Sequence, residues 1–418
     1  MILAVILGTF SSIISVKSVE LFIRIRNWLG LERNILVMLM AILLLGMGEE
    51  LWSRFIPKYL EVLGASAWAI ALYGTLRHFL DAVYQYPGGW LADHLGRRTA
   101  LVIFTLLAII GYILYILGAT WLWILVGTIF VMAWSSLTLP AFFAIIGDNL
   151  PQQRRAIGFG VQSFLRHIPM VVAPFLGGIL VSSLGFGQGI HLGLVATIAL
   201  AIVAIFILLR FFSEERRPRP DRSSFRDIWR GMDVHLKRLL FSDCLIRWAE
   251  GIPEFFIVLY TLNVLGASAF QFGWLTSIQM ATSLLLYIPV AKYADRSNPR
   301  PFVLMTFAFF ALFPLALVTA SSLAWITVAF VIAGLREVGE PARKALIVDL
   351  AMETARGRAI GMYYLIRGLV VFPAPLVGGW LWNLDHRLPF YAALVVGLLG
   401  LISYAALGVT EKRVTALK

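Results

Sequence analysis

The chain has 418 residues, of which 60% are hydrophobic and 14% charged, with a formal net charge of +12. Soluble domains carry roughly 25% charged residues, so a single soluble core is excluded and lipid is the natural solvent for the excess apolar surface. One cysteine, Cys244, excludes an intrachain disulfide framework and a cysteine-rich metal site.

Residues 1–15 are apolar but short, and no basic stretch precedes them, which argues against a cleaved signal peptide. Lys17, Arg24, Arg26 and Arg33 then alternate with Ile, Leu, Phe and Trp, so residues 1–34 are read as an interfacial segment with an amphipathic helix on the inner leaflet. Twelve apolar runs follow, at about 35–56, 68–91, 99–118, 121–147, 156–183, 188–211, 239–262, 270–293, 301–320, 324–348, 358–383 and 386–409. Backbone groups in lipid must satisfy one another, and β-barrel alternation is absent, so the spacing predicts an all-α integral membrane protein with twelve transmembrane helices. With the N-terminus inside, 27 of the 35 Lys and Arg fall on inner segments. These include nine between spans 6 and 7, and four in the segment joining spans 10 and 11. Three fall outside and five within spans. That bias places both termini in the cytoplasm. It also reads the basic charge as topology and contact with anionic lipid, with no nucleic-acid partner.

The chain repeats itself. Val62–Ala67 (VLGASA) recurs at Val264–Ala269, an offset of 202, and Asp93 meets Asp295. Pro140-Ala141 meets Pro341-Ala342 and Asp148 meets Asp349 at offset 201, and Ala173-Pro174-x-x-Gly177-Gly178 meets Ala374-Pro375-x-x-Gly378-Gly379. A six-helix unit is therefore duplicated, with bundles over 35–211 and 239–409, a cytoplasmic linker over 212–238 and a tail over 410–418. An even number of helices relates the halves by an axis along the membrane normal.

The loop between spans 2 and 3 reads Gly89-Trp90-Leu91-Ala92-Asp93-His94-Leu95-Gly96-Arg97-Arg98. It resembles the signature loop of major facilitator superfamily transporters, and the resemblance extends over about residues 35–409. Gly89 would let two helices approach closely, and Gly96 would allow a tight turn. The resemblance implies a conformational lock: Asp93 against the positive N-terminus of span 11 near Arg356 and Arg358, and Arg97 against Asp148, with Arg98 alongside. Asp295, Asp349 and Arg358 would be its counterparts in the second half. In span 5, Gly160, Pro169, Ala173, Pro174, Gly177 and Gly178 sit at the spacing of that family's antiporter motif, with Pro169 and Ala173 replacing two of its glycines.

Charges within spans cost about 2.5–3.5 kcal/mol each even on the gentlest scale, so they face water or one another. Three pairs stand at helical spacing: Arg77 with Asp81, Arg247 with Glu250, and Arg336 with Glu340. Glu49, Glu50, Asp81, Glu250, Glu254 and Glu337 are the proton-coupling candidates, with His78 and His167 as further titratable groups. Arg166 and Arg367 are 201 apart and have no acid one turn away. Either each pairs with an acid on another helix, or two guanidinium forks meet an anionic or zwitterionic substrate. Arg77, Arg336, Tyr363 and Tyr364 complete the substrate-binding candidates, and Trp134 and Trp248 are possible lining.

These readings predict a monomeric secondary transporter in a bacterial inner membrane. It would move a small solute by proton-coupled alternating access, without cofactor, metal or enzymatic chemistry. No G-x-x-x-x-G-K-[ST], H-E-x-x-H or G-x-S-x-G pattern is present. The alternatives are a multidrug-type proton antiporter for cationic or neutral lipophiles, or a non-transporting sensor or lipid-handling protein.

Overall fold

The computed structural model describes residues 33–149, 152–213, 229, 232–294, 300–351 and 356–407, which are helical almost throughout. Most of the interfacial segment and linker, and all of the tail, lie outside the described residues. Predicted span 1 is α1 (Arg33–Glu50) followed by α2 (Ile56–Val62). Next come α3 (Ala67–Leu95), α4 (Arg97–Leu117) and α5 (Trp121–Asn149). Spans 5 and 6 are two helices, taken together as α6 (Gln152–Phe211), that are separated at Gly185, where φ is 80° and the backbone is not helical. Span 7 is α7 (Val234–Gly251), extended by a tight turn at Glu254–Phe256 and a π turn at Tyr260–Val264. Then follow α8 (Ala269–Ala294), α9 (Arg300–Val318), α10 (Leu323–Leu335), α11 (Glu340–Leu350), α12 (Arg356–Val371), α13 (Ala374–Leu384) and α14 (Leu388–Ala406).

Six described stretches are long and apolar enough to cross a membrane: Arg33–Val62, Arg97–Leu117, Leu165–Phe211, Arg300–Val318, Ala359–Leu384 and Leu388–Ala406. Pro57, Pro341 and Pro375 each stand in the first turn of a new helix, where a missing N–H costs nothing, so spans 1, 10 and 11 are broken rods. Large apolar side chains such as Leu117, Phe206, Leu285 and Ile402 point outward, as a lipid-facing surface requires.

The duplication is visible in backbone and packing. Gly64 and Gly266, from the repeated VLGASA string, both take positive φ, 81° and 70°. Each is followed by a serine that accepts from a backbone N–H three residues on, Ser66 from Ala69 and Ser268 from Gln271. These are left-handed exits and capped entries, used twice. Gly177 packs so closely that a β-carbon there would overlap the Leu51 carbonyl at the break in span 1. Gly378 stands in the same relation to the Ile252 carbonyl at the break in span 7. The neighbouring glycines face the opposite half. A β-carbon on Gly178 of α6 would lie 3.2 Å from Gly273 Cα of α8, and one on Gly379 of α13 would lie 3.1 Å from the Ala67 carbonyl of α3. Both glycine pairs thus do two jobs: one member seats a broken helix within its half, and the other joins the halves.

The inter-half contacts gather at the end where residues 51–66 and 252–268 turn. There Lys58 bonds Glu61 and donates to Asn263 at 2.6 Å, while Asn263 donates to Glu61 at 2.8 Å. Phe55 meets Phe272 edge-on at 5.5 Å, and Tyr73 meets Phe255 at 5.7 Å.

The glycine packing sets an expectation for stability. Gly177→Ala and Gly378→Ala should each destabilise the purified protein by about 1–3 kcal/mol through overpacking. Gly361→Ala, inside a helix where an added β-carbon meets nothing within 4 Å, should keep or slightly raise the melting temperature. Thermal unfolding in detergent checks the contrast. Equal melting temperatures for all three would show that the glycines are not needed for close approach.

Candidate functional site

Two groups of polar side chains lie inside the helical bundle, one in each half. In the first, α1 ends at Glu49 and Glu50, just before its break. Adjacent helical residues point about 100° apart, and the two carboxylates find different partners. Tyr112 of α4 donates to Glu49 at 2.7 Å, and Arg54 bonds Glu50 at 3.1 Å. Arg77 of α3 interacts electrostatically with Tyr73 and with Glu254 of the other half. Glu49, Glu50, Tyr73, Arg77, Tyr115, Thr128 and Ser135 line a cavity of about 50 Å³, room for water but not for an organic solute. Asp81 takes its hydrogen bond from Ser136 at 2.8 Å. The expected Arg77–Asp81 pair is therefore not made: the tyrosine and the facing half draw the guanidinium away from its own helix.

The halves meet electrostatically at His78, whose Nε2 lies 3.0 Å from Glu254 of span 7. On that span Asp243, Arg247, Glu250 and Glu254 recur at three- or four-residue spacing, one charged face of a helix.

The second group is built on that face, around Asp243. Its carboxylate accepts from Tyr363 at 2.9 Å, from Arg367 at 3.2 Å and from Arg343, and Arg247 lies 3.9 Å away. Arg343 also forks onto Glu340, with Nη2 at 2.7 and 2.6 Å from its two oxygens and Nε at 2.9 Å. Arg247 bonds Glu250 at 2.7 Å, as its spacing predicts, and reaches Glu340 at 3.4 Å. The Asp243 and Arg343 side chains are each 1% exposed. Removing one member of such a network strands its partners in low dielectric.

Several sequence expectations are corrected here. Arg336 does not pair with Glu340, whose oxygens Arg343, Arg247 and Lys344 occupy. Its guanidinium instead lies 5.0 Å from the Phe310 ring and 4.7 Å from Phe313, and donates to the Ala333 carbonyl at 3.0 Å. Glu337 sits half-buried in the turn between α10 and α11. Tyr363 is buried on Asp243, not free to line a passage, whereas Tyr364 stacks beside the Arg367 guanidinium at 4.6 Å. Trp248 donates to the Val370 carbonyl at 3.0 Å beside the break in span 11, and Trp134 is buried in the core.

The repeat-related arginines differ. Arg367 is held by Asp243, an acid from another helix. Arg166 of α6 is exposed, and among the described residues it has no hydrogen-bond or ion-pair partner, only a longer-range interaction with Glu49.

The chain thus folds as two repeated helical halves, each seated on paired glycines, with polar side chains grouped inside them. The Major Facilitator Superfamily model matches residues 38–246 and again residues 239–417. The chain belongs to the major facilitator superfamily. It is a multi-pass membrane protein of a transporter family. An uncharacterized MFS-type transporter of Methanocaldococcus jannaschii is 21% identical, covering 89% of this chain and 94% of that one. Multidrug resistance protein MdtG of Proteus mirabilis is 24% identical over the same shares. Among solved structures, a POT family transporter in complex with 5-aminolevulinic acid superposes with a TM-score of 0.75 at 15% identity, covering 90% of this chain and 96% of that one. A bacterial homologue of the human lysosomal transporter Spinster, inward-facing and unoccupied, gives 0.69 at 14% identity, covering 91% and 96%.

In the signature loop, Gly96 takes φ 87° and α4 starts at once with Arg97, so the chain turns tightly there. Arg98 donates to the Leu209 carbonyl, and Arg300 to that of Ala405 at 2.8 Å, so each half ties the entry of its third span to the end of its sixth. Arg97 is half-buried and Asp349 exposed. Asp295 and the side chains at Gly89, Asp93, Asp148 and Arg358 lie outside the described residues.

The sequence reading missed Asp243, Arg343 and Tyr112. The signal for Asp243 was its place four residues before Arg247. Arg343 was counted with the basic residues between spans 10 and 11.

The two acids should differ in weight. Asp243→Asn should cost about 3–5 kcal/mol of stability, because it leaves buried guanidiniums uncompensated. Asp81→Asn, which keeps an amide oxygen to accept from the Ser136 hydroxyl at an exposed position, should cost less than about 1 kcal/mol. Denaturation of the purified variants measures both. Equal small losses would contradict the hub role of Asp243.

Proposed function

We propose that the protein is a secondary active transporter of twelve transmembrane helices, with both termini in the cytoplasm of a prokaryotic inner membrane. It moves a small anionic or zwitterionic organic solute by proton-coupled alternating access. The observation that carries this reading is the exposed Arg166, which has no hydrogen-bond or ion-pair partner among the described residues, whereas its repeat counterpart Arg367 is held by Asp243. A guanidinium kept at intramembrane depth without a protein partner is suited to an anion that comes and goes. On the charge asymmetry of the loops, the end joined by Lys58, Glu61 and Asn263 is the outer one in this reading. Glu49, on Tyr112 beside a water-sized cavity, and Glu254, on His78 across the halves, are the acids best placed to exchange protons during the cycle. Glu50, Glu250 and Glu337 are secondary candidates, and Arg77 acts on Glu254 across the halves. The signature-loop residues act as the inner lock, formed when that face closes. The substrate and protons are the partners, and the carrier works as a monomer in anionic lipid.

A second reading rests on the relatives' names. Proteins at 23–24% identity are called multidrug resistance proteins, and export of lipophilic compounds by proton antiport would use the same acids with the arginines serving structure alone.

Reconstituted vesicles separate the two. With an imposed pH gradient, uptake or efflux of organic acids and amino acids should be lost in Arg166→Gln. Glu49→Gln should lose gradient-driven accumulation by roughly ten-fold or more, the scale of a lost acid–base group, while retaining exchange. Flux of cationic dyes, unchanged in Arg166→Gln, would favour the multidrug reading.

A further inference from the structure

The duplication gives an internal control for each charge in the second half. At the offset of 201 that superposes Gly177 on Gly378 and Leu51 on Ile252, Arg367 falls on Arg166 and Glu250 on Glu49. The rest of the network has no acid or base in the first half: Asp243 falls on Ile42, Glu340 on Leu139, Arg343 on Phe142, and Tyr363 on Gln162. The duplicated unit therefore keeps its arginine twice and the carboxylate that neutralises it once.

The two arginines consequently meet different surroundings at equivalent depth. Arg367 is 21% exposed, 3.2 Å from Asp243 and against the Tyr364 ring. Arg166 is exposed and has no acid partner among the described residues, and the position equivalent to Asp243 is Ile42, which packs on the apolar core. A guanidinium fork satisfied by a fixed carboxylate has no vacant donors on that side. One whose equivalent position is an isoleucine receives no carboxylate from there.

We infer that Arg166 alone is the docking point for the substrate's anionic group, a single carboxylate, and that Asp243 takes in the second half the place the substrate's carboxylate takes in the first. This rests on the proposed anionic substrate and narrows it: one carboxylate head is read, not two. Solutes with two anionic groups gain no second arginine.

Phenylglyoxal, which attacks guanidiniums not engaged in ion pairs, tests this on the intact protein in nanodiscs, with adducts mapped by peptide mass spectrometry. Arg166 should react faster than Arg367 by roughly ten-fold or more, reflecting the buried pair. A panel of monocarboxylates from acetate to benzoate should slow labelling of Arg166 and leave Arg367 unchanged, with benzamide as the neutral control. Asp243→Asn should bring Arg367 toward the rate of Arg166, and Ile42→Asp should protect Arg166, with Ile42→Asn reporting any effect of polarity alone. Equal reactivity of the two arginines in the parent protein would overturn the inference, as would protection of both or of neither by the carboxylates. Protection of Arg166 together with absence of carboxylate flux in vesicles would preserve the binding site and sink the transport reading alone.

Discussion

A carboxylate with almost no contact with water must be surrounded by positive charge to remain there, and Asp243 meets that requirement by holding Arg343 and Arg367 at once, with Arg247 nearby. The positions of three helices follow from this. Arg343 brings α11 to α7, Arg367 and Tyr363 bring α12, and Glu340 completes the circuit by binding both Arg343 and Arg247. Charges that would each be costly in lipid stabilise the second half when they are together, and only when all are present.

The first half has the same packing with a different interior. Its glycines seat the same kind of broken helix and its loops turn on the same left-handed glycine, but its polar groups are dispersed: Glu49 on Tyr112, Glu50 on Arg54, Asp81 on Ser136. Such a half is less tightly fixed by charge and has an arginine to spare. The division suits a carrier. One half is internally neutralised and rigid, the other presents vacant donors, and the His78–Glu254 bond joins them. In the proposed cycle, the contacts that would break include Lys58 with Asn263.

Much of this was legible before any coordinates. The duplication, the helical class and the paired glycines were all in the spacing of loop residues, because turns and close approaches constrain residue type locally. The i, i+3 pair of Arg247 and Glu250 was legible for the same reason. The pairs that failed, Arg77 with Asp81 and Arg336 with Glu340, failed because a helical neighbour competes with partners from other helices, and spacing along one helix says nothing of those. Tyr73 claims Arg77, and two phenylalanine rings claim Arg336. Arg367 shows the same lesson: its partner lies 124 residues away. The breaks in spans 10 and 11 were signalled by Pro341 and Pro375, but a hydropathy run averages across such breaks.

The unequal neutralisation of two repeat-related arginines is the central claim, and a pair of double-mutant cycles on folding stability measures it. The first combines Asp243→Asn with Arg367→Gln, the second Glu49→Gln with Arg166→Gln. The account predicts a coupling of at least about 1 kcal/mol in the first cycle, within the range for groups sharing one network, and none beyond error in the second. Equal coupling in both cycles would contradict it, for Arg166 would then be as firmly held by the protein as Arg367.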